Sequence, residues 1–189
     1  MIPSAAETAA GLYGSYRLAR LDPSGMRYFN VSVDGFWRSF FAAVLVAPMY
    51  AVFLTMSMAG DGSEVMPTRF ALAHTVGYVV GWLAYPAVME SLTRLLGCRD
   101  RFIGYIVAYN WASVLRNAVV LPIALLPATG LVTAEVAFLL WLGAFLLVLA
   151  YVWFIARVAL GLPGLTCAAL VVLDLTLGIF IDAITTGMR

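Results

Sequence analysis

Residues 134–156 read AEVAFLLWLGAFLLVLAYVWFIA, and after Glu135 no charged side chain occurs until Arg157. At about 1.5 Å per residue a helix of this length crosses roughly 30 Å of hydrocarbon. A barrel strand would instead alternate apolar and polar positions over about ten residues. The stretch is apolar on all sides and carries Trp141, Tyr151 and Trp153. It therefore reads as a membrane span that faces lipid or a partner subunit, and it sets the fold class: an all-α, polytopic helix bundle.

Four further apolar runs flank it, so the expected spans are 36–59, 69–90, 102–126, 132–157 and 164–186. The connections are short and rich in helix breakers: Gly60-Asp61-Gly62-Ser63, Gly97-Cys98-Arg99-Asp100, Pro127-Ala128-Thr129-Gly130 and Gly161-Leu162-Pro163-Gly164. Sequential antiparallel neighbours follow from such short links. Residues 1–35 form a cytoplasmic N-terminal region and 36–189 a five-helix transmembrane domain. Pro48, Pro86 and Pro122 interrupt the first three spans, and each frees a carbonyl one turn back.

Composition agrees: hydrophobic residues make up 63% of the 189 and charged ones 11%, with a mean hydropathy of +0.97. Soluble domains carry roughly 25% charged residues. The net charge of +1, with basic residues split up by the spans, excludes a nucleic-acid partner. All eleven basic residues are arginine, so no P-loop lysine is available and an ATP-driven mechanism within the chain is excluded. Arg17, Arg20, Arg27, Arg38, Arg94, Arg99, Arg101 and Arg157 fall on one side of the spans, and Arg69 and Arg189 on the other. That bias places the N-terminus in the cytoplasm and the C-terminus outside. Residues 1–35 contain no compact apolar stretch followed by a cleavage site, so the first span is retained as an anchor.

Ser4 and Glu7 have the spacing of a capping box, which starts a helix running to about Leu21. Leu12, Tyr16 and Ala19 recur at spacings of four and three, with Arg17 and Arg20 off that line. The stripe fits an interfacial helix on the cytoplasmic leaflet and equally a helix packed on its own bundle. Asp22-Pro23-Ser24-Gly25 ends it. Glu90 and Arg94 form an i, i+4 pair on a solvated extension of the second span.

Charge inside hydrocarbon is costly and marks a function or a buried pair. From the cytoplasmic helix ends, Arg116 lies roughly 21 Å deep, Asp174 roughly 15 Å and Asp182 roughly 27 Å. His74 enters from the outer end of the second span, and Glu135 opens the fourth on the same side. Asn110, Ser113 and Asn117 share a helix face with Arg116 beside them, while Asp174, Gly178 and Asp182 share another. These residues predict an intramembrane polar cluster of Arg116, Asp174, Asp182, His74, Asn110, Ser113 and Asn117. Arg116 neutralises one carboxylate, with Asp174 the better placed. Asp182 is then surplus.

Small residues recur every fourth position at Ala43, Ala47 and Ala51, at Ala73, Gly77 and Gly81, and at Gly104, Ala108 and Ala112. That spacing lets helix backbones approach closely, within one bundle or between copies. His74 is the single histidine, and no HxxxH or ExxH spacing exists, so no metal or other cofactor is expected. Cys98 and Cys167 form neither a metal spacing nor a disulfide framework. Ser113 lacks a G-x-S-x-G turn, and neither cysteine has an adjacent histidine, so the chain reads as no enzyme.

Five spans with a cytoplasmic N-terminal region, together with Leu12-Tyr13-Gly14 and Gly104-Tyr105, resemble the Yip1-type membrane proteins and their tyrosine-glycine and glycine-tyrosine signatures. The resemblance implies a non-enzymatic membrane protein acting through partners or bilayer organisation. Gly11 and Ser15 stand where the family has an acidic residue and a proline. A bacterial inner membrane is the expected setting. Two functions follow from the residues. One is an accessory scaffold subunit in a homo-oligomer or larger complex; the alternative is a small transporter or channel subunit with an Asp/Arg polar path. The odd span count and the lack of inverted halves weigh against a complete secondary transporter.

Overall fold

A computed structural model describes residues 2–61 and 67–187, with side chains other than those of 57–61 and 67. The described residues form α1 (Ala5–Ala19), a 3-10 turn (Pro23–Tyr28), α2 (Val33–Ser39), α3 (Phe41–Asp61), α4 (Pro67–Leu95), α5 (Phe102–Thr129), α6 (Ala134–Leu160) and α7 (Gly164–Gly187). Five helices are long and apolar enough to cross a membrane, so this is an integral membrane helix bundle. Gly97, Gly130 and Gly161 sit at φ of 70°, 67° and 65° in the links after α4, α5 and α6, where left-handed backbone favours glycine. At the end of α6, the Arg101 guanidinium donates to the Leu160 carbonyl at 2.6 Å. Of the expected first connection, Gly62 and Ser63 lie outside the described residues.

The helix order around the bundle departs from simple succession. α5 is the hub, packing against α3 and α6; α6 continues to α7, and α7 rather than α5 takes most of α4. Side chains close the ring between α3 and α4: Tyr50 and Tyr78 stack with centroids 4.9 Å apart, and the Tyr78 hydroxyl donates to the Ala43 carbonyl at 2.6 Å. The spans thus border a half-open space instead of filling it.

The first apolar run is not one helix. It breaks at Phe40, because the Ser39 hydroxyl donates to the Phe36 carbonyl at 2.7 Å and accepts the Asn110 amide of α5 at 2.9 Å. Residues 36–39 therefore belong to α2. By contrast Pro48, Pro86 and Pro122 lie inside continuous helices.

With 28 residues, α5 is about 42 Å long, exceeding the hydrocarbon by about 12 Å. The N-terminal elements pack on that excess. Gly11 of α1 faces the Trp111 ring, where a Cβ would lie 2.6 Å from ring carbon, and Gly104 faces Val31. The Tyr151 hydroxyl of α6 donates to the Ser15 carbonyl at 2.7 Å. Gly14 meets Gly25 backbone to backbone, since a Cβ on Gly14 would sit 2.9 Å from the Gly25 carbonyl. So α1 is a cap docked on its own bundle, and its inward face is Gly11, Gly14, Ser15 and Leu18, not the Leu12, Tyr16 and Ala19 stripe. Small residues, invisible to a hydrophobic periodicity, make the contact. Ser4 caps α1 by accepting from Glu7 N–H at 3.1 Å, but the Glu7 carboxylate turns away to Asn30 at 2.9 Å and Arg38 at 3.1 Å, tying α1 to α2.

The small-residue stripes are used unequally. Ala108 and Ala112 are fully buried, Ala73 is buried, and Gly77 lies so close to Thr185 of α7 that a side chain there would collide. Gly81 is open. In α3 the buried face is Ala42 and Val46; Ala43 and Ala47 are half-buried and Ala51 is exposed. Nor is α6 alike on all sides: Ala137, Ala144, Tyr151, Val152 and Ile155 are buried, whereas Phe138, Leu139, Leu146 and Leu147 are exposed. Its apolar circumference hides a packed face because lipid and protein both accept apolar side chains.

Candidate functional site: an intramembrane polar cavity

Inside the ring lies a cavity of about 750 Å³ lined by all five spanning helices. Pockets of roughly 300–1,000 Å³ suit small organic ligands. Its polar centre is built on α5, where Tyr109, Ser113 and Arg116 share one face. Helical side chains lean toward the helix N-terminus, so Arg116 reaches back along α5. Its Nη2 donates to Ser113 Oγ at 2.6 Å, its guanidinium covers the Tyr109 ring at 4.5 Å, and Nη1 lies 3.6 Å from Asp174 Oδ2. The Tyr109 hydroxyl completes the cluster by donating to Asp174 Oδ1 at 2.7 Å. Both charged side chains are mostly buried, at 16% and 20% exposure. The Arg116 to Asp174 separation is that of an ion pair, longer than a direct charge-assisted hydrogen bond of about 2.8 Å.

Asp182, two helical turns further along α7 and about 12 Å from Asp174 by helix rise, also lines the cavity but is exposed, with no ion pair or hydrogen bond among the described residues. His74 lines the same end; it is 5% exposed, its Nδ1 lies 3.4 Å from the Tyr50 hydroxyl, and its ring is 4.2 Å from Phe70. Asn117 faces the cavity while donating to the Ser113 carbonyl at 2.8 Å. Thus six of the seven expected residues, Arg116, Asp174, Asp182, His74, Ser113 and Asn117, share one space.

Asn110 does not join them. It is fully buried, donates to Ser39 of α2, and leaves its Oδ1 without a partner among the described residues. Its place in the i, i+3, i+7 pattern is real, but one turn toward the cap the same face meets α2. Glu135 is exposed at the start of α6 and is not part of the lining. No group of three metal-ligating side chains occurs among the described residues.

Sequence reading missed the aromatic side chains. Tyr85 and Tyr105 share a hydroxyl hydrogen bond of 2.6 Å, and the Tyr85 and Tyr109 rings lie 4.7 Å apart, on the cap side of Asp174. The available signal was spacing, because Tyr105, Tyr109, Ser113 and Arg116 fall at i, i+4, i+8 and i+11. Outside the spans, burial pushes the Cys98 thiol up from its usual range. Both cysteines are free and buried.

No family model, curated protein or solved structure matches this chain.

Proposed function

We propose that this chain is a small transporter or channel subunit whose five spans surround a polar path for a small solute. The observation that carries this reading is the cavity, with a satisfied Arg116 and Asp174 pair at its centre and a carboxylate, Asp182, along its wall that has no partner among the described residues. A bundle serving only as a scaffold gains nothing from a carboxylate facing an internal space, because intramembrane charge is expensive. The accessory role implied by the Yip1-type resemblance draws instead on small-residue packing faces. Ala108, Ala112 and Gly77 are engaged within one copy, which weakens the case for those positions as a partner surface. The chain performs no covalent chemistry on this reading. The arginine-rich cap end faces the cytoplasm, in a bacterial inner membrane, and any oligomer forms through the outer faces of the ring.

The test is flux in liposomes reconstituted with purified protein. Proton or cation flux above protein-free vesicles is expected, with Asp182→Asn lowering it at least tenfold. Absence of flux in the wild type, or unchanged flux in the variant, rejects the proposal.

A further inference from the structure

We infer that the solute held in this cavity is an organic monocation, with Asp182 as its counter-ion and aromatic rings as its walls. The inference rests on the reading of the cavity as the solute path. Formal charge comes first: among the described lining residues Arg116 is matched by Asp174, and Asp182 is a carboxylate with no ion pair. An anion would meet a guanidinium already engaged by Asp174, Ser113 and Tyr109, and would be repelled by Asp182.

The walls decide between an inorganic and an organic cation. A bare metal ion needs several oxygen ligands at about 2.0–2.6 Å, and no group of three metal-ligating side chains occurs among the described residues. The lining instead carries aromatic side chains on α3, α4, α5 and α6. Tyr50 and Tyr78 stack 4.9 Å apart on α3 and α4, and Trp141 and Phe145 lie 5.2 Å apart and within 8° of parallel on α6. Aromatic faces attract cations that carry apolar substituents, for which desolvation costs little. A volume of about 750 Å³ is far more than a metal ion occupies and suits a molecule with several carbon substituents.

Equilibrium dialysis of the full chain in lipid nanodiscs, against empty nanodiscs, tests this with tetraphenylphosphonium as probe. Saturable binding to the wild type is expected, weakened at least tenfold, about 1.4 kcal/mol, in Asp182→Asn and retained within a few-fold in Asp182→Glu. Trp141→Leu is expected to weaken it several-fold. Tetraphenylborate, similar in size and opposite in charge, should bind at least tenfold more weakly than the phosphonium ion. Equal binding to wild type and Asp182→Asn, both folded by gel filtration, overturns the inference, as does preference for the borate. The two readings fail separately: proton or cation flux without phosphonium binding removes the organic cation and leaves the path, whereas saturable, Asp182-dependent binding without flux removes transport and leaves a cation site.

Discussion

Replacing Arg116 by Met removes the only cation facing Asp174 among the described residues while keeping much of the side-chain volume. At 3.6 Å and an effective dielectric constant of about 20, the gross attraction is about 5 kcal/mol. Desolvation of both groups offsets part of it. Breaking a buried pair by removing one partner costs about 3–5 kcal/mol. The lower end, about 3 kcal/mol, is expected here, because the pair borders a cavity and its separation is long for a direct bond. Asp174→Asn alone leaves Arg116 facing an uncharged amide but keeps an acceptor for the Tyr109 hydroxyl, so its cost should be smaller, about 2 kcal/mol. The double variant should lose much less than the sum, with a coupling energy of about 2 kcal/mol. Equilibrium unfolding in dodecyl maltoside and SDS mixed micelles, followed by helical circular dichroism, gives all four corners of the cycle. Additive costs, with coupling below about 0.5 kcal/mol, would show that the two charges do not sense each other.

The cap gives two further expectations. Gly11→Val drives a branched side chain into the Trp111 ring, so the cap should loosen by about 1–3 kcal/mol, and trypsin should cut faster at Arg17, Arg20 and Arg27. Unchanged cleavage would contradict the docked arrangement. At acid pH the turn after α1 should open, because hydrogen bonds from the Ser24 hydroxyl and N–H, and then from Arg17, hold Asp22 down to about 2. A lowered carboxyl contributes stability that is complete above its ordinary value of about 3.9 and is lost as pH falls through the folded value. Exchange of the turn amides, corrected for intrinsic rate, should therefore rise between about pH 4 and 2 in the wild type, and stay flat in Asp22→Ala. A flat wild-type profile would remove Asp22 from this role.

The features legible in the sequence are those set by one helix at a time. Span number and type follow from unbroken apolar length, and the glycine at each link reports a local backbone need, as at Gly130 and Gly161. Depth counted from the helix ends brings Arg116 within reach of an aspartate on the last span but leaves it midway between Asp174 and Asp182, and the fold selects Asp174. What stayed hidden depends on which helix lies opposite. Asn110 and Ser113 stand three residues apart, yet one meets α2 and the other the cavity. The face of α1 was misread because Gly11 and Gly14 carry no hydrophobic signal, although their missing side chains are what admit Trp111 and Gly25. Likewise, nothing in the short link before α4 indicates that this helix leans mainly on α7.

Water access to the interior of the ring is measured directly by cysteine substitution on a Cys98→Ala, Cys167→Ala background. Asn117 and Gly178 line the cavity, whereas Leu139 and Leu147 are exposed on the outside of α6. A hydrophilic methanethiosulfonate reagent, applied to the protein in lipid nanodiscs, needs an ionised thiol and hence water. Rapid modification of Asn117→Cys and Gly178→Cys is expected, at rates at least tenfold above those of Leu139→Cys and Leu147→Cys. Equal rates at all four positions, or reaction only at the α6 pair, would mean that the five helices enclose no polar path.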